Sequence, residues 1–176
     1  QPTLADLNRR LSVGWVRFEN MKWQMASPSP GVFRYYDTAG PWHVNNDAIF
    51  ESYATQGVHV LPFLFQTPEY ATTAPADVKK NRYGYPPRDP AGFAEFCFQT
   101  AARYGATKHP REALKTQDGR SGLGWISTFE IWNEPNLNAP EWGAWVGELP
   151  PYFELFRLAA EAVRRARVDL AEAWAA

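Results

Sequence analysis

An apolar run that stops at a proline limits what this chain can fold into more than any other feature. Trp125-Ile126-Ser127-Thr128-Phe129-Glu130-Ile131-Trp132 reads as a buried strand, and Asn133-Glu134-Pro135 follows at once. Pro135 has no N–H for a ladder and biases Glu134 toward extended backbone, so the strand is predicted to end there. A carboxamide and a carboxylate are thereby left at the C-terminal tip of a strand.

The residues before that strand alternate helix with strand. Residues 3–12 predict a helix capped by Thr3, with Asp6 in its first turn and an apolar stripe of Leu4, Leu7 and Leu11. Trp15-Val16-Arg17-Phe18-Glu19 predicts a strand. Its alternation puts Val16 and Phe18 on the face that packs under helices and Trp15, Arg17 and Glu19 on the other. A long loop follows from Asn20 to Val44. Asn45 or Asn46 then caps a helix carrying Ile49, Phe50, Tyr53 and Ala54, closed by Gly57. Residues 58–65 predict the next strand, although Pro62 is awkward in a central one. His59 lies at its start and reads as structural.

A second long loop, Gln66 to Pro90, leads to a helix with Phe93, Phe96, Cys97, Ala101 and Tyr104 at helical spacing. A polar connection over 105–124 leads to the strand before Glu134. The last helix, over about 152–168, is predicted to turn Phe156, Ala159 and Val163 inward, with Arg164, Arg165 and Arg167 outward or at its C-terminal end. Alternation of this kind means an α/β fold with a parallel sheet and right-handed crossovers. No repeat, low-complexity tract or linker divides residues 1–176, which read as one domain.

Composition narrows the function classes. The formal net charge of -1 gives no footprint for nucleic acid or for an acidic membrane surface. Eight Trp among 15% aromatic residues suit a cleft in which sugar rings stack on indole and phenol faces, though aromatics also fill ordinary cores. His43, His59 and His109 have no metal-ligand spacing, and no glycine motif cradles a phosphate, so neither a metal nor another cofactor is implied. Cys97 is the one cysteine, which excludes an internal disulfide, and its apolar setting makes it a small core residue rather than a nucleophile. No stretch is long enough to span a membrane. No signal peptide precedes Gln1, but a mature secreted or periplasmic protein would lack one too, so localisation stays open.

Phe129-Glu130-Ile131-Trp132-Asn133-Glu134-Pro135-Asn136 resembles the acid/base motif of the clan A glycoside hydrolases, most closely the branch containing the β-xylosidases. Arg17 followed by Trp23, Gly31-Val32-Phe33 and Tyr36-Asp37 is similar to the second strand of the same family and its loop. The resemblance implies a (β/α)8 TIM barrel in which the Asn-Glu-Pro strand is the fourth. A complete barrel of this kind takes about 250 residues. Strands two to four would then lie here, a partial catalytic barrel domain, with the first expected before Gln1 and the fifth to eighth after Ala176. Unpaired parallel edges in such a piece invite pairing with another copy.

The resemblance also implies retaining hydrolysis of β-linked O-glycosides. Glu134 would be the general acid/base and Asn133 the partner of the sugar 2-hydroxyl. Arg17 would stand beside a nucleophile glutamate on the seventh strand, outside these residues. Retaining enzymes hold the two carboxyl groups about 5–5.5 Å apart. Glu130, roughly 13 Å upstream of Glu134 along an extended strand, is too far to serve. Glu19 is at the right rim but two strands away, so the chain alone is expected to be inactive. Trp23, Trp42, His43 and Trp142 are candidate substrate contacts, each as readily a loop anchor. Alternate strands share an interior layer, so Arg17 and Glu130 are predicted to approach each other, directly or through a water. Two other readings remain: a carbohydrate-binding pseudoenzyme that lacks the nucleophile, and an inactive structural barrel fragment in which Glu134 is incidental.

Overall fold

The computed structural model describes residues 3–38 and 43–167. Helix α1 (Leu4–Arg10) opens on the predicted capping box. The Thr3 hydroxyl accepts from the Asp6 N–H at 3.1 Å, and the Asp6 carboxylate accepts from the Thr3 N–H at 2.8 Å. Its leucine stripe does not enter the core. Leu4 is 66% and Leu11 76% exposed, Leu7 is exposed as well, and Ala5 is the residue that α1 buries.

Strand β1 (Trp15–Phe18) pairs in parallel with β2 (His59–Leu64), and β2 with β3 (Glu130–Ile131), giving the order β1-β2-β3. Between β1 and β2 lie the single turn α2 (Trp23–Ala26) and α3 (Asn46–Thr55). It is Asn45 that caps α3, accepting from the Ala48 N–H at 3.0 Å. Helix α4 (Pro90–Tyr104) follows β2 and α5 (Leu149–Arg165) follows β3. Phe18 packs edge-on against Phe50 of α3 at 5.0 Å, which sets Val16 and Phe18 on the helix side as the alternation predicts. In α5, Ala159 is buried and Val163 packs against the core as predicted, whereas Phe156 is exposed; Leu155 and Ala162 are its other buried residues.

β3 is far shorter than the predicted eight-residue strand, and Pro62 supplies a reason. The His59 N–H donates to Gly14 on the β1 side, and the Leu64 carbonyl accepts from the Trp132 N–H on the β3 side. Alternation therefore points the backbone of residue 62 toward β3, where proline has no donor for the rung at Thr128. The ladder starts only at Glu130, opposite Phe63. Upstream, Trp125 and Ile126 donate instead to the Tyr104 carbonyl at the end of α4.

Two features hold the helix layer behind the sheet. An aromatic chain runs from Trp23 to Phe93 (5.7 Å), to Trp132 (5.3 Å), to Trp145 (5.1 Å) and to Tyr152 (5.6 Å). Each edge-to-face pair contributes about 0.5–1.5 kcal/mol beyond burial. The second is a buried ion cluster. Arg103 at the end of α4 is forked onto Asp47 of α3 and onto Asp118, and the Tyr104 hydroxyl also donates to Asp47. Burial works against the Arg103 charge, but the two carboxylates outweigh it and hold the guanidinium firmly protonated. Cys97 is buried in this layer, and burial pushes its thiol well above the usual range, as fits a core residue.

Candidate active site at the tip of the third strand

Glu134 stands three residues past β3, at the edge where all three parallel strands end. The loops that leave this edge carry the other candidates. β1 presents Arg17 on the face away from the helices, with its guanidinium 3.9 Å from the Phe63 ring centroid. Phe63 is the register partner of Glu130, so the three groups share a layer. Arg17 Nε donates to Glu130 Oε2 at 2.8 Å and Nη2 to Glu130 Oε1 at 2.7 Å. The predicted meeting of these residues is therefore a two-bonded fork, which raises the Arg17 pKa further above its ordinary value.

The same guanidinium also reaches Asn133. Arg17 Nη2 donates to Asn133 Oδ1 at 2.7 Å, and Asn133 Nδ2 donates to Glu134 Oε2 at 3.1 Å. A polar chain Glu130–Arg17–Asn133–Glu134 thus crosses from β1 to β3. Strict alternation would turn Asn133 to the opposite face from Glu130. Trp132 changes that, because its φ of +67° is left-handed and inverts the alternation. Trp132 swings into the helix layer, where its indole N–H donates to the Ala144 carbonyl at 2.7 Å, and Asn133 returns to the Arg17 side. Glu134 follows at φ +41°, not in the extended conformation predicted from Pro135. Its carboxylate is exposed at the rim.

The remaining candidates divide. Trp23 is 2% exposed and packed between Phe93 and Phe96, so it anchors its loop and offers no open ring face. His43 is exposed on the β1–α3 connection, with Nδ1 3.2 Å from Asp37 Oδ1. Trp142 is 69% exposed on the β3–α5 connection. Trp42 lies outside the described residues. Glu19, weighed above as a second carboxylate, pairs with Lys22 at 3.4 Å. His59 stacks on Trp15 at 4.7 Å near the start of the strands, as its structural reading implies.

Two rim groups escaped the sequence reading. Gln66, just past β2, is also left-handed (φ +67°), and it accepts from Gln24 Nε2 at 2.6 Å. A polar residue directly after an apolar strand was the available signal. The second is Phe63, which no motif marks but which underlies Arg17. Beside them, the β2–α4 loop is fastened to the β3–α5 loop. Asn81 Nδ2 donates to the Gly143 carbonyl at 2.8 Å, and the Val146 N–H donates to the Gly84 carbonyl at 2.8 Å. Gly84 is needed for this approach, since a Cβ there would sit 2.7 Å from the Gly143 carbonyl oxygen. Among the described residues, no group of three His, Cys, Asp or Glu side chains gathers as a metal site.

No protein-family profile matches the chain, and no curated protein matches it in sequence. Among solved structures, it is similar to a family 39 glycoside hydrolase from the gut symbiont Bacteroides cellulosilyticus WH2, with a TM-score of 0.58 and 15% identity. The match covers 93% of this chain and 26% of that one, so the chain spans about a quarter of the neighbour's length. The likeness is one of fold: a three-stranded parallel α/β unit that follows part of a glycoside hydrolase chain.

Proposed function

We infer that the chain carries the acid/base side of a retaining glycoside hydrolase site acting on β-linked O-glycosides of oligo- or polysaccharides. The observation that carries this reading is the placement of Glu134. It sits at the C-terminal edge of a parallel sheet, on the end of a polar chain that fixes its neighbour Asn133. Glu134 protonates the departing glycosidic oxygen, then takes a proton from the water that completes the second step. Asn133 holds the sugar 2-hydroxyl, and the exposed Trp142 and His43 contact the glycan. The resemblance assigns the nucleophile carboxylate to a further strand of the barrel, while both oxygens of Glu130 are held by Arg17. A second reading is a sugar-binding barrel that lacks the nucleophile and does not hydrolyse. A glutamate at the tip of a later strand separates the two.

The test compares Glu134→Gln with the parent in the full-length protein. General acid catalysis contributes about 10²–10⁴-fold. The variant is expected to lose roughly that factor on natural glycans and much less on aryl β-glycosides, whose leaving groups need little protonation. Equal losses on both substrates would remove Glu134 from the acid role.

A further inference from the structure

The donors and acceptors around Asn133 fix more than its position. Arg17 spends its Nε hydrogen and one Nη2 hydrogen on Glu130, and its second Nη2 hydrogen on Asn133 Oδ1. The carboxamide therefore has to lie with its oxygen toward Arg17. Turned over, it would face NH2 to guanidinium and carbonyl to carboxylate, opposing donor to donor and acceptor to acceptor at once. With the orientation seen, one Nδ2 hydrogen goes to Glu134 Oε2, and the other meets no acceptor in the described residues.

Resting on the glycosidase reading, we propose that Glu130 is a positioning residue: through Arg17 it sets which way round the Asn133 carboxamide lies, so that Asn133 offers an N–H to the sugar hydroxyl while bracing Glu134. Glu130 touches neither Asn133 nor Glu134 in this arrangement; it acts by clamping the guanidinium in a two-bonded fork over Phe63. A neutral or single-bonded partner leaves Arg17 free to turn about its stem, and the amide loses the contact that distinguishes its two ends. The site thus selects for sugars with a hydroxyl that accepts a hydrogen bond at this point.

The experiment has two arms, each run on Glu130→Gln and Arg17→Lys. In the first, side-chain amide NMR signals of Asn133 are followed in the protein as it stands, with the Trp132 indole N–H as a check on the strand. The expected result is two well-separated Asn133 protons in the parent, converging in both variants while the indole signal stays in place. Unchanged Asn133 signals in both variants overturn the proposal. A moved indole signal in both variants also overturns it, since Glu130 would then be holding the strand rather than the amide. The second arm measures kcat/KM in the full-length protein on an aryl β-glycoside and its 2-deoxy counterpart. Losing a hydrogen bond held by a charged network should lower the first by about 10-fold and the second by no more than about 2-fold. Equal losses on the two substrates reject the positioning role. A parent protein without glycosidase activity would instead sink the functional reading, and the NMR arm would still decide whether Glu130 orients the amide.

Discussion

Two arginines in this chain meet carboxylates in opposite surroundings. Arg103 is enclosed, with Asp47 and Asp118 around it, while Arg17 lies half in solvent on the open face of the sheet. Enclosure makes the first pairing a matter of stability. The Arg103 guanidinium holds the Asp118 carboxyl down at about 2, so its contribution is complete above the unfolded value near 3.9 and disappears as pH falls through about 2. Asp118→Asn is expected to cost about 1 kcal/mol at neutral pH, allowing for screening at a partly exposed group. Urea unfolding of both proteins across pH should show that difference vanishing by about pH 2. A constant difference would mean that the charge of Asp118 is not what matters. Trp132 shows a different kind of constraint at the same scale. Glycine there would relieve a left-handed backbone but empty the centre of the aromatic chain, whereas another aromatic would fill the space and keep the torsional cost of roughly 1–3 kcal/mol.

At the scale of the elements, the shortness of β3 is attributed to one missing donor. Pro62→Ala restores an N–H that points toward β3, so residue 62 should gain a slowly exchanging amide and Thr128 a partner, with stability changing by less than about 1 kcal/mol. Fast exchange at position 62 would show that the strand is short for another reason. Much of this level was legible in the residues. Thr3 with Asp6 marked the start of α1, the Asn45-Asn46 pair marked that of α3, and the parity of Arg17 against Glu130 foretold their approach. What was not legible depends on contacts distant in the chain. Alternation alone cannot reveal that Trp132 turns backward, because the pull comes from Phe93 and Trp145, tens of residues before it and a loop after it. The leucines of α1 read as an apolar stripe by spacing, yet spacing says nothing of whether a second surface is present to receive them. Trp23 looked like a rim aromatic for want of any local sign that Phe93 and Phe96 enclose it.

Over the whole molecule, the helices cover one face of the sheet while Leu4, Leu7, Leu11 and Trp15 stand exposed beside β1. A cleft of about 500 Å³ lined by Leu4, Val16, Phe18, Ile49 and Tyr53 opens next to them. With a net charge of only -1, little repulsion opposes contact between copies. Residues 1–176 made on their own are expected to self-associate with rising concentration, and Leu4→Lys with Leu11→Lys to reverse this in sedimentation velocity. A monomer at all concentrations would refute the expectation. At the opposite end of the strands, Asn81 and Val146 bind two loops from different halves of the chain into a single wall. An insertion or deletion in either loop is consequently an event for both. On the glycosidase reading proposed above, a lineage that reshapes this entrance for a bulkier or more branched glycan would have to change the two in concert, and the fastening between them would be the first thing lost.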